Sequence, residues 1–204
     1  MRKLFIKFIF ILFHLNTFSQ TCFCEKDSSL TEKISCKPIV FKNSAKIYNQ
    51  FNCDSSWIEF DNNGSKNYLG SIELHFVKEY KNTFLMVADL PGCCTPPPFN
   101  LYNKYNGELI NDFYLIDIVN QYGLSIDADG FEQLILYNFD NQTEKKIPLP
   151  KKVIYNTLRN SNVTNPEYLF EQLKIINNTM IIKYKTYNKF KKWEYHTIKH
   201  ILTN

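Results

Sequence analysis

The chain has 204 residues, 44% hydrophobic and 16% aromatic, with 6 Gly and 8 Pro. That composition supplies enough apolar side chains for a core and excludes collagen-like, low-complexity and disordered classes. The formal charge of +4 reflects 24 Lys+Arg against 20 Asp+Glu, but Arg2, Lys3 and Lys7 lie in the leader, and without them the balance of 21 against 20 points to no polyanionic partner.

Residues 1–19 have a basic start, an apolar run from Leu4 to Leu15 interrupted by Lys7 and His14, and small residues Thr17 and Ser19 two apart. This pattern predicts a secretory signal peptide. The expected location is therefore outside the cytosol, periplasmic or secreted. The apolar run is shorter than the ~20 residues that span a bilayer, which argues against an uncleaved anchor, and no later segment reads as a membrane span, so no transmembrane anchor is expected after leader removal.

Residues 20–44 show no regular period and contain Cys22, Cys24 and Cys36, which predicts an irregular N-terminal arm pinned by disulfides. With Cys53, Cys93 and Cys94 the chain has 6 cysteines, an even number in an exported chain, so three disulfides are expected. The close pairs Cys22/Cys24 and Cys93/Cys94 are expected to bond to distant partners, and the connectivity stays open. Neither pair has the spacing of a zinc knuckle, and the sequence calls for no metal or other cofactor.

From residue 45 to 204, short runs rich in Ile, Leu, Tyr, Phe and Val alternate with Asn, Asp and Gly, which predicts one antiparallel β domain. The expected strands are Trp57–Phe60, Leu69–Tyr80, Thr83–Asp89, Phe99–Asn103, Glu108–Leu115, Glu132–Asn138, Glu144–Leu149, Leu173–Asn177, Thr179–Tyr187 and Trp193–Ile201. Asp112 to Tyr122 fits helix or strand, and Asn165 to Gln172, with Pro166 at the first position, predicts one short helix. Turns are expected at Lys104–Gly107, Phe139–Gln142 and Asn177–Asn178, whose residues tolerate positive φ. Leu101-Tyr102-Asn103 and its returning strand recur at Leu136-Tyr137-Asn138, an offset of 35 residues (136 minus 101). The fold class is thus all-β, a meander of hairpins arranged as propeller-like blades, an open sheet or a sandwich.

Chemistry-bearing motifs are few. His196 and His200 lie in a segment that reads as strand and lacks the Glu of a zinc-protease helix. Asp127-Ala128-Asp129-Gly130 begins like a calcium loop but lacks its later ligands, and reads as a turn, as does Asp61-Asn62-Asn63-Gly64. There is no nucleophile elbow, and acid pairs such as Glu73 with Asp89 or Glu108 with Asp117 stand out only as carboxylates that a glycosidase could use. Lysines 183, 185, 189, 191, 192 and 199 interleave with aromatic residues, but Arg159 is the only arginine after the leader, so nucleic acid is not an expected partner and the lysines read as guards of an edge strand.

The least ordinary stretch is Pro91 to Phe99, where Cys93 and Cys94 precede Pro96, Pro97 and Pro98. A stiff segment leading into Phe99, Tyr102 and Tyr105 is a candidate binding loop, because rigid aromatic surfaces bind at low entropic cost. The sequence favours a non-enzymatic exported binding protein, an inhibitor or immunity-type protein acting on a partner protein. A hydrolase or a glycan-binding module is the alternative.

Overall fold

The computed structural model describes residues 37–51, 56–71, 73–88, 96–127, 129, 131–188 and 190–202. The leader, residues 20–36 of the expected arm and all six cysteines lie outside the described residues. No described helix is long and apolar enough to cross a membrane. The chain divides into two compact units, one before Glu73 and one from Glu73 onward.

The first unit is a four-stranded antiparallel meander of β1 (Ile39–Val40), β2 (Lys46–Phe51), β3 (Ser56–Asn62) and β4 (Ser65–Gly70). Asn63 and Gly64, both with positive φ, form the two-residue loop between β3 and β4, and the Gly64 N–H donates to Asp61 Oδ1 at 2.8 Å. Two positive φ angles in succession match the right-handed twist of the strands they join, so Asn-Gly is the favoured pair there. Phe41, Ala45, Ile47, Ile58, Phe60 and Leu69 are buried, with the Phe41 and Phe60 rings 6.4 Å apart.

The second unit carries a seven-stranded antiparallel sheet. Its spatial order is the chain order reversed, from β11 to β5, so every connection is a hairpin. The strands are β5 (Leu74–Glu79), β6 (Thr83–Ala88), β7 (Pro98–Asn103), β8 (Leu109–Val119), β9 (Tyr122–Ile126), β10 (Gln133–Asn138) and β11 (Thr143–Pro148). The all-β antiparallel expectation is met, and within it the meander replaces separate blades: both copies of the 35-residue echo belong to this one continuous sheet. The ambiguous segment Asp112–Tyr122 is strand. β8 is long enough to pair with β7 through residues up to Tyr114 and with β9 from Leu115 onward.

The sheet curls back on itself. The Thr83 hydroxyl donates to the Phe139 carbonyl at 2.8 Å, the Lys81 N–H to Asp140 Oδ1 at 2.7 Å, and Asn82 Nδ2 to the Asp140 carbonyl at 3.1 Å, so the β5–β6 turn meets the β10–β11 turn. Inside the curl, Tyr80, Leu85, Leu101, Phe113, Leu115, Tyr137 and Phe139 form one core. Gly123 is required there, since a Cβ at that position would overlap Phe139 Cζ and lie 3.2 Å from Leu115 Cδ2. Lys104 is buried too. Its ammonium donates to Glu79 Oε1 at 2.9 Å and to the Tyr80 carbonyl at 3.0 Å, which ties the β7–β8 turn to the end of β5.

The opposite face of β9 and β10, marked by Leu124, Leu134 and Leu136, packs against a smaller sheet in the order β12 (Phe170–Ile176), β13 (Thr179–Tyr187) and β14 (Trp193–Ile201). Leu173, Met180, Ile182, Tyr184 and Ile154 complete this second core. Asp117, at a bulge in β8, accepts the Ile118 N–H at 2.8 Å and the Leu173 N–H at 3.0 Å, so one carboxylate clasps β8 to β12.

Three expectations need correction. Leu69–Tyr80 is two strands, β4 and β5, broken after Gly70. Residues 165–172 form a four-residue 3-10 helix (Pro166–Leu169) that runs straight into β12. A further helix, α1 (Val153–Asn160), was not expected. It follows Lys152 at φ 57 and has neither a side-chain cap nor an acid in its first turn, so the usual start signals are missing.

Candidate functional site

One concavity of the second unit is a cleft of about 400 Å³. β8 contributes Asn111 to Tyr114, β9 Ser125 and Ile126, β10 Ile135, the turn after β9 Phe131, the start of β11 Glu144, and the 3-10 helix with its preceding residue Asn165, Pro166 and Glu167. Pro96, from the proline-rich loop, closes one side. The strand register explains part of the lining. Leu115 pairs with Ser125 and Ser125 with Ile135, so alternation places Phe113, Ser125 and Ile135 on one face of the sheet.

The lining combines apolar side chains with three carboxylates. Asp112 and Glu144 are exposed, Glu167 is half-buried, and none of the three is ion-paired among the described residues. Burial pushes the Glu167 carboxyl above its ordinary value, while a bond from its own backbone N–H works the other way. Tyr114, 47% exposed, also lines the cleft. Such a cleft suits a ligand with an apolar group next to a positive charge, because the walls supply contact area and the carboxylates supply complementary potential.

The candidate binding loop is placed in part. Cys93 and Cys94 lie outside the described residues; Pro96 lines the cleft and Pro97 follows it. Pro98 opens β7 opposite Tyr114, and Phe99 pairs with Phe113 and packs on the curl core. Tyr102 and Tyr105 lie at and beyond the other end of β7. Tyr102 is 3% exposed, stacked on Phe84 at 5.2 Å, with its hydroxyl accepting from Asn100 Nδ2. Tyr105 is exposed and donates to Asn82 Oδ1 at 3.3 Å. The structure thus gathers Pro96 with Tyr114, Phe131 and the three acids, a grouping that linear spacing does not announce.

Other sequence candidates have local roles. Asp127 forms the β9–β10 turn: its Oδ1 accepts the Asp129 N–H at 3.0 Å and its Oδ2 accepts Gln133 Nε2 at 2.6 Å, bonds that hold its carboxyl below the ordinary value. Glu108 Oε2 accepts from Asn106 Nδ2, and Asp117 is the clasp to β12; Asp89 lies outside the described residues. His196 and His200 alternate with exposed residues along strand β14, and His196 Nε2 is 2.8 Å from the Thr186 hydroxyl. Among the described residues, no group of three or more His, Cys, Asp or Glu side chains could hold a metal ion.

Compared with known proteins, the chain matches no family model and no curated sequence.

Proposed function

We propose that this chain is an exported, non-enzymatic binding protein that docks a partner protein outside the cytosol, as an inhibitor or immunity-type protein would. The observation that carries this reading is the cleft at Pro96, whose lining combines apolar Phe113, Ile126, Phe131 and Ile135 with three carboxylates free of ion pairs among the described residues. The fitting ligand is a protruding partner segment that places an apolar side chain against those apolar residues and a Lys or Arg against Asp112, Glu144 and Glu167.

The test is capture of partners from the exported proteins of the source, with the leader-free chain as bait and mass spectrometry as readout. A stoichiometric partner lost on Asp112→Lys with Glu144→Lys, in a bait that keeps its circular dichroism, supports the reading. A partner retained by that double variant refutes the cleft as its site.

The alternative is a glycan-binding module or a hydrolase, favoured by Glu167: a half-buried carboxyl raised above its ordinary value is what a general acid requires, and two further carboxylates share its cleft. Hydrolysis of a glycan that disappears in Glu167→Gln, with glycan binding intact, would establish it in place of the first reading.

A further inference from the structure

Three strand edges of the second unit are guarded. β5 carries a bulge between Phe76 and Lys78; β12 carries one between Phe170 and Gln172 and gives its Leu173 N–H to Asp117; β11 exposes Glu144, Lys145 and Lys146 and ends in Pro148. Bulges, charges, prolines and covering groups are the usual protections of an edge. Among the described residues β14 is the outer strand of its sheet and has little of this. It runs nine residues, contains no proline, and keeps unbroken register with β13 from Thr179↔Ile201 to Tyr187↔Trp193.

The direction of its backbone groups follows from the two ends of the hairpin. The Asn188 N–H donates to the Lys192 carbonyl and the Leu202 N–H to the Asn178 carbonyl, which marks both as hydrogen-bonded pairs. Such pairs recur every second residue in an antiparallel ladder. Glu194, His196, Ile198 and His200 therefore spend their backbone groups on β13, whereas Trp193, Tyr195, Thr197, Lys199 and Ile201 direct theirs toward the open side.

We infer that this edge pairs antiparallel with β14 of a second copy of the chain, Thr197 facing its counterpart across a two-fold axis. The strand complements its own reverse. In that register Trp193 faces Ile201, Glu194 faces His200, Tyr195 faces Lys199 and His196 faces Ile198: an apolar pair, an acid with an imidazole, a cation beside a ring, and no like charges opposed. A shift of two residues in either direction sets His196 against His200 or against its own counterpart and shortens the overlap. The lysines expected to guard the edge lie mostly elsewhere: Lys183 and Lys185 are on the central strand β13, and the only lysine within β14, Lys199, meets Tyr195 in the pairing. The contact is isologous, so it closes at two copies and doubles the three-stranded sheet.

Sedimentation equilibrium on the purified chain tests this, with and without reductant, alongside three variants at exposed positions of β14. Thr197→Lys sets two ammonium groups face to face at the axis. Thr197→Pro deletes an outward N–H, which an edge strand tolerates. Tyr195→Glu places a carboxylate opposite Lys199. A dimer is expected whose dissociation constant rises about tenfold or more in both Thr197 variants, with far-ultraviolet circular dichroism unchanged, while Tyr195→Glu retains the dimer and makes it salt-sensitive. A monomeric wild-type chain would overturn the inference, as would a dimer indifferent to both Thr197 changes or one that Tyr195→Glu weakens as much as Thr197→Lys does. If one Thr197 variant loses its circular dichroism, the other decides.

Discussion

Tyr80 is a buried phenol whose hydroxyl has no hydrogen-bond partner among the described residues, and its ring packs 4.8 Å from that of Phe139. Replacing it with Phe keeps the ring and deletes the stranded polar atom. At pH 8 the variant is expected to equal or exceed wild type in stability by about 1 kcal/mol, because a buried unsatisfied hydroxyl costs that order of free energy. The larger effect appears in alkali. Burial, aided by the Asp140 carboxylate, pushes the Tyr80 hydroxyl from 10.0 up to about 12. Below pH 10 the proton is bound in both folded and unfolded chains and nothing changes. Between pH 10 and 12 the unfolded chain releases the proton while the folded one retains it, so stability falls with rising pH, approaching a total loss of about 2.7 kcal/mol above pH 12. The Tyr80→Phe chain lacks this loss, so its advantage over wild type widens by about 1.4 kcal/mol from pH 9 to pH 11. Urea unfolding at each pH, followed by circular dichroism, measures the gap directly, and titration of the lysines cancels between the two proteins. A gap that stays constant with pH, or a variant less stable than wild type by 1 kcal/mol or more at pH 8, would refute the burial argument.

Gly123→Ala should destabilise by about 1–3 kcal/mol, since the added methyl overlaps the buried Phe139 ring; urea midpoints check it. Lys104→Met removes a buried ammonium from Glu79 Oε1 and the Tyr80 carbonyl and is expected to cost about 3 kcal/mol, with the Lys104–Glu79 coupling read from a double-mutant cycle with Glu79→Gln. Lys66→Ala breaks an exposed pair with Glu59, 2.7 Å long, and should change stability by less than about 1 kcal/mol in the same assay. Asp117→Ala leaves the N–H groups of Ile118 and Leu173 without their acceptor and should cost about 2 kcal/mol, with faster amide exchange at Leu173 as its local signature.

The hairpin of β13 and β14 was legible to the residue because its pattern is local: alternating apolar and polar side chains on both strands and a close at Asn188. The β12–β13 turn was legible for the same reason, Asn177 and Asn178 both adopting positive φ. β2 was not, since Lys46 to Phe51 mixes polar and apolar residues beside a stretch with no period. Helix α1 escaped because its eight residues offer one amphipathic turn and no cap. The cleft was hidden for a different reason. Of its lining residues only Pro96 was a binding candidate in the sequence, while Tyr114, Phe131, Glu144 and Glu167 come from separate segments that the fold brings together. Lys104 looked like one cation among many, and what distinguishes it is burial against Glu79, a property of the assembled turns.

The curl also bears on how the chain reaches this state. Each strand of the seven-stranded meander pairs with its neighbour in sequence, so hairpins can zip independently with little loop entropy to overcome. The bonds that close the curl join residues far apart: Thr83 reaches Phe139 across 56 positions, and Lys81 reaches Asp140 across 59. Those contacts come late on entropic grounds and reward the chain only once the strands between them have formed. The meeting of the two turns therefore acts as the latch that converts a ladder of separately opening hairpins into one cooperative unit. Weakening it at Thr83 should speed unfolding more than it slows folding.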